Sequence, residues 1–152
     1  AEEADNDFHA RFSAKKRWYV YKIINRRSPL TIDANRAWCV HKILDTKIMK
    51  NESASFLGKH DLNAFRSTNC QSRSSIRTID DIIINIKNEN IFIEVVAKSF
   101  LHSQVRIMVG TLVDIAKGNL TKSINEIIAG KKREGAGQTA PSSGLYLKKV
   151  EY

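Results

Sequence analysis

The run Ile76-Arg77-Thr78-Ile79-Asp80-Asp81-Ile82-Ile83-Ile84-Asn85-Ile86-Lys87, then Asn88-Glu89-Asn90, then Ile91-Phe92-Ile93-Glu94-Val95-Val96-Ala97, decides the fold class. Side chains of a strand alternate between two faces. Over 76–86 the residues Ile76, Ile82, Ile84 and Ile86 share one parity, and over 91–97 Ile91, Ile93, Val95 and Ala97 face together. Asn88-Glu89-Asn90 supplies turn residues between them, so the run reads as a β-hairpin. Next in the chain, Val105, Met108, Val109, Leu112, Val113 and Ala116 recur at helical spacing, which predicts an amphipathic helix over 103–117 closed by Gly118. Ser123-Ile124-Asn125-Glu126 has capping-box form and predicts a short helix ending at Gly130. Residues 131–143 read as a mobile loop, and 145–152 alternate again as a strand.

Working toward the N-terminus, residues 66–75 are a polar loop. A helix is predicted over 45–57, with Asp45 as cap, Gly58 after its end, and Ile48, Met49, Phe56 and Leu57 on one face. Residues 17–24 read as a strand, with Trp18, Val20 and Ile24 on one side and Tyr19, Tyr21 and Ile23 on the other; Ser28-Pro29 breaks it. Segregated strands and helices around a hairpin predict an α+β fold: a mostly antiparallel sheet with helices packed on one face. The opposite face is left free, and in RNA-binding folds such a face is often the reading surface.

The chain of 152 residues is one domain, 1–152, large enough to bury a core, and its apolar (42%) and charged (27%) shares are those of a globular protein. No apolar run reaches the length of a membrane span. The acidic start, Ala1-Glu2-Glu3-Ala4-Asp5, is unlike a signal or transit peptide, and without an initiator Met the chain is expected to be part of something longer or a processed product. Cys39 and Cys70 stand far apart, and His9, His41, His60 and His102 have no ligand spacing, so neither a metal nor a disulfide framework is expected. A reducing cytoplasm fits these features best.

The formal net charge is +9, and charge of this sign points to nucleic acid as partner. It is unevenly placed. Between Phe8 and Ile32 stand Arg11, Lys15, Lys16, Arg17, Lys22, Arg26 and Arg27 without one acid, interleaved with Phe12, Trp18, Tyr19 and Tyr21. Cations hold phosphates and rings stack on bases, so the stretch suits RNA. A solvated strand with a snorkelling face has the same composition, and composition does not choose between them.

Five blocks in order add a family resemblance. Asp7-Phe8-His9-Ala10-Arg11-Phe12-Ser13-Ala14 with Arg17-Trp18-Tyr19-Val20-Tyr21 resembles the D-F-H-A-R-F-S-A…R-x-Y-x-Y run of TruA-type tRNA pseudouridine synthases. Leu57-Gly58-Lys59-His60-Asp61 with Phe65-Arg66-Ser67, and Cys70-Gln71-Ser72 with Arg77, follow that pattern too. So do Phe100-Leu101-His102-Ser103-Gln104-Val105-Arg106 with Gly110, and Ala140-Pro141 with Gly144-Leu145-Tyr146-Leu147. The blocks span almost the whole chain, which is similar to the C-terminal half of such an enzyme.

The resemblance implies conversion of uridines at tRNA positions 38–40, in the anticodon stem-loop, to pseudouridine by a homodimer needing neither cofactor nor metal. In the family an aspartate attacks the nucleotide, and the base is flipped from its stack to be reached. Tyr19 matches the tyrosine that stacks on the flipped uracil, and Arg106 the arginine that pairs with the aspartate. Arg106 also stands in the first turn of its predicted helix, where the dipole disfavours a cation by about 0.3–1 kcal/mol, which suits a waiting anion. His102, Ser103 and Gln104, at the same helix start, are open between RNA contact and capping. Arg66, Gln71, Arg73 and Arg77 flank a polar loop suited to an RNA backbone, or to solvent. The candidate RNA contacts are Arg11, Lys15, Lys16, Arg17, Arg66, Gln71, Arg73, His102 and Gln104. His60 is read as structural.

The family nucleophile lies in a G-R-T-D-x-G-V-H-type motif upstream of the D-F-H-A-R block. None of the eight aspartates here follows Arg-Thr. The expectation is therefore a chain that supplies one wall of the active site and is inactive alone. The alternative is a non-catalytic RNA-binding module on the same scaffold.

Overall fold

The computed structural model describes residues 3–152; Ala1 and Glu2 of the acidic start lie outside the described residues. Strand β1, Lys16–Asn25, is the centre of a six-stranded sheet. On one side it pairs antiparallel with β5 (Asn90–Ala97), β5 with β4 (Ile76–Lys87), and β4 with β3 (Gly58–Asp61). Two short partners share its other side. β6 (Leu145–Glu151) runs antiparallel beside Lys16–Tyr21, while β2 (Trp38–Val40) runs parallel beside Ile23–Asn25. Every pairing but that of β2 is antiparallel, so the fold is the α+β class expected.

Three helices complete it: α1 (Thr46–Ser53), α2 (Gln104–Ala116) and α3 (Ile124–Gly130). Their apolar residues meet Tyr21, Ile23, Ile82, Ile84, Ile91, Ile93 and Val95 of the sheet in one core. The caps follow the sequence. Asp45 accepts from the backbone N–H groups of Lys47 and Ile48, and Ser123 and Glu126 form the capping box of α3.

Four expectations need correction. The helix predicted over 45–57 stops at Ser53 and tightens into a 3-10 turn over Ala54–Phe56, so Met49 and Phe56 are buried while Ile48 and Leu57 are exposed. Two turns of helix present too narrow a stripe to bury all four. In β4 the pairing steps from Ile79↔Ala97 to Asp81↔Val96. That bulge leaves Asp80 unpaired and shifts the alternation, so Ile79 and Ile82 are both buried and Ile76 is exposed. Ile86 keeps its parity but is exposed at the strand end. The segment 131–143, expected as a mobile loop, is packed. Ala136, Gly137 and Ala140 are buried, and 3-10 turns occupy Arg133–Gly135 and Ser142–Gly144.

Candidate functional site

The sheet's free face is not where the candidate residues gather. Tyr19 shares the parity of Tyr21 and Ile23, and so points to the helix side at the end of β1. There it lines an open cleft of about 960 Å³. The bulge puts Arg77 on the same side. The cleft's other walls are the segment carrying Arg11, Phe12 and Arg17, the loop Asn69 to Ser72, the turn Lys98 to Ser103, and the start of α2 with Arg106.

Helix α2 explains how Arg106 reaches this space. From Gln104 to Asp114 every residue is buried except Arg106. A helix enclosed on all sides has one opening, and the cation occupies it. Its Nε donates to the Ala140 carbonyl at 2.7 Å. Tyr19 is held by Phe100, whose ring lies edge-on at 5.3 Å between centroids. Such a pair fixes the plane of the tyrosine ring.

The electrostatics are one-sided. Arg11, Arg17, Arg77, Lys98 and Arg106 line the cleft, and among the described residues no carboxylate does. None of these five forms an ion pair among the described residues. Their partners are neutral. Arg17 donates to the carbonyls of Arg11 and Lys98, and Arg77 to those of Ser74 and Ile76 and to the Ser72 hydroxyl. Among the described residues, Arg77 Nε is the one buried side-chain nitrogen or oxygen without a hydrogen-bond partner. Unneutralised cations around a concave surface focus a field that attracts anions.

The Cys70 thiol registers this environment. Burial pushes its pKa up, but the backbone N–H groups of His102 and Ser72 and the guanidinium groups of Arg66 and Arg77 outweigh that and hold it below the ordinary thiol value.

The remaining sequence candidates divide. Gln71 and His102 line the cleft, His102 exposed at its rim. Gln104 lines it too, but its amide faces inward. Oε1 accepts from the Leu101 N–H at 2.8 Å and Nε2 donates to Met108 Sδ at 3.6 Å. Ser103 makes no side-chain cap and sits in the left-handed region at φ 60°. Arg66 lies behind the loop, bonded to the Ser72 carbonyl at 3.2 Å. Lys15, Lys16 and Arg73 are outside the lining, and Lys16 lies 3.9 Å from Asp80. His60 bonds the Leu57 carbonyl at 2.7 Å, as a structural histidine does. Lys98 and the inward role of Arg77 carry no local signal in the sequence; Phe100 stands inside one of the five blocks. No three His, Cys, Asp or Glu side chains among the described residues are grouped to hold a metal ion.

Comparison with known proteins gives one answer throughout. The family model described as tRNA pseudouridine synthase matches residues 53–152. The chain is 53% identical over 152 residues to the tRNA pseudouridine synthase A of Ehrlichia chaffeensis, covering 99% of this chain and 62% of that protein. It is 48% identical to the protein of the same name from the Wolbachia of Culex pipiens, and 45% identical to that of Parvibaculum lavamentivorans. Those two alignments take in 100% of this chain and 62% of each relative, so the chain spans less than two thirds of the relatives' length.

Proposed function

The chain belongs to the tRNA pseudouridine synthase family, and on that premise we propose that it forms one wall of an active site isomerising uridine in the tRNA anticodon stem-loop. One observation carries the reading. A cleft lined, among the described residues, by five unpaired cations and no acid brings Tyr19 and Arg106 together. Arg11, Arg17, Arg77 and Lys98 hold the phosphates of the strand, and Tyr19 offers its ring to a uracil turned out of the stack. Arg106 receives the carboxylate that attacks the nucleotide, keeping it ionised and aimed through a planar pair of N–H donors.

That carboxylate comes from the part of the complete protein beyond this chain, in keeping with a lining free of Asp and Glu among the described residues. The complete protein works as a homodimer, the state the family resemblance implies. A reducing cytoplasm suits its two free thiols. The same acid-free lining also suits a module that binds RNA without altering it, and product formation separates the two readings.

The test has two parts. The complete protein, incubated with unmodified tRNA, forms pseudouridine in the anticodon stem-loop, while this chain alone forms none, since among the described residues its cleft holds no carboxylate to attack the nucleotide. In both proteins the tRNA shields Cys70, and not Cys39 outside the cleft, from alkylation. Turnover by the chain alone overturns the origin of the nucleophile. A complete protein that protects Cys70 but makes no product is the binding module. Unchanged Cys70 alkylation removes the cleft as the RNA site.

A further inference from the structure

We infer that residues 136–141 form a strap that aims the Arg106 guanidinium, and that Asp114 is the positioning residue holding the strap in place; this rests on the role of Arg106 proposed above. Arg106, Gly110 and Asp114 recur every four residues and so lie one above another on a single face of α2. The strap runs along that face and touches it at each turn. At the first, the Ala140 N–H donates to the Arg106 carbonyl at 3.1 Å, and the Ala140 carbonyl accepts from Arg106 Nε at 2.7 Å. At the second, the Gln138 carbonyl oxygen lies only 1.9 Å from where a Cβ on Gly110 would stand. At the third, the Gln138 N–H donates to Asp114 Oδ2 at 2.9 Å and its side-chain nitrogen to Oδ1 at 2.8 Å. Beside it the Gly137 N–H donates to Thr111 Oγ1 at 2.9 Å, where a Cβ on Gly137 would come within 2.6 Å of Asp114 Oδ2.

Asp114 is the chemical oddity in this arrangement. It is 8% exposed and forms no ion pair among the described residues. Burying a carboxylate is unfavourable unless its oxygens are satisfied. Here both are satisfied by Gln138, a residue of the strap. Asp114 lines no part of the cleft, and the strap links it through Gln138 to Ala140 and from Ala140 to Arg106 Nε. With Nε engaged, Arg106 keeps Nη1 and Nη2 without protein partners among the described residues, on the side that meets an anion. The far end of the strap is fixed as well, because the Tyr21 hydroxyl donates to the Pro141 carbonyl at 2.6 Å.

The test uses the complete protein under single-turnover conditions. Asp114→Ala slows the chemical step by about ten- to hundredfold, the scale of a misplacement near 1 Å, and leaves tRNA affinity within about twofold. Asp114→Asn retains most of the rate: its oxygen accepts the Gln138 N–H, and its amide nitrogen meets the Gln138 side-chain oxygen once that amide turns over. In an Arg106→Ala background, Asp114→Ala adds no further loss, because residues acting as one unit are not additive. Should Asp114→Ala fail to fold, Gln138→Ala alters an exposed side chain, removes one of the two bonds, and slows the step by about three- to tenfold. A parental rate in the folded Asp114→Ala or Gln138→Ala variant, or a loss that multiplies with that of Arg106→Ala, overturns the role of the strap. A parental rate in Arg106→Ala itself removes the assignment of Arg106 and the strap's role with it. A slow Arg106→Ala beside an unaffected Asp114→Ala removes the strap's role alone.

Discussion

Arg106 stands where helix electrostatics disfavour it and where nothing negative among the described residues answers its charge. If it meets a carboxylate in the complete protein, Arg106→Ala strands that carboxylate in a partly closed cleft. Losing one side of such a pair costs about 3–5 kcal/mol, a fall of at least about a hundredfold in single-turnover rate. Arg106→Lys restores part of it, since an ammonium lacks the planar fork. Tyr19→Leu slows the same step by removing the stacking face. Both positions leave tRNA affinity nearly unchanged, because backbone contacts dominate binding. A variant at 106 that loses affinity and keeps the chemical rate marks a phosphate contact instead. Arg106 was legible in the sequence through its match to the family arginine, and its place in the first turn of a helix adds to that. Gln104 was not, because its neighbours do not tell that α2 is enclosed on nearly every side, which turns the amide inward to Leu101.

Between the strands and the cleft lies the entry to α2, where Ser103 adopts φ 60° and ψ 11°. A side chain in the left-handed region crowds the following carbonyl by roughly 1–2 kcal/mol. Glycine has no such penalty, so Ser103→Gly leaves stability unchanged or raises it by up to about 1 kcal/mol, while Ser103→Val lowers it by about 1–2 kcal/mol. Urea unfolding of the two variants reads the difference, and equal midpoints rule out strain at this turn. Elements whose contacts are local were legible: the β4–β5 hairpin, α2 and capped α3 follow from periodicity and turn chemistry. Those defined by distant partners were not. β3 is Gly58-Lys59-His60-Asp61, with no apolar alternation, and forms because Ile76 to Ile79 offers it an edge. Residues 131–143 carry the Gly and Ser composition of a loop, yet Gly110 and Gly137 let backbone lie against backbone, and packing follows.

Across the whole molecule, charge is sorted by place. Acids pair with cations on other surfaces, as in Lys22 with Asp33 at 2.8 Å and Lys131 with Asp61 at 3.4 Å, while the cleft keeps its five cations unpaired. Roughly four to six phosphate contacts then give tRNA binding a log–log salt slope of about −3 to −5. Affinity measured across a salt series checks this, and a flat titration makes the basic stretch a solvated face. The net charge was legible in the composition, but its concentration in one cleft depends on which acids fold elsewhere. The split pairing of β1 bears on how the protein is made. β1 leaves the ribosome before any of its partners. Its flank toward β5 waits for Asn90–Ala97, and the flank beside Lys16–Tyr21 stays bare until Leu145–Glu151 has emerged. Tyr19 therefore sits on an unfinished strand until β6 has been made, and the cleft wall that carries it is completed only by that last strand of the sheet.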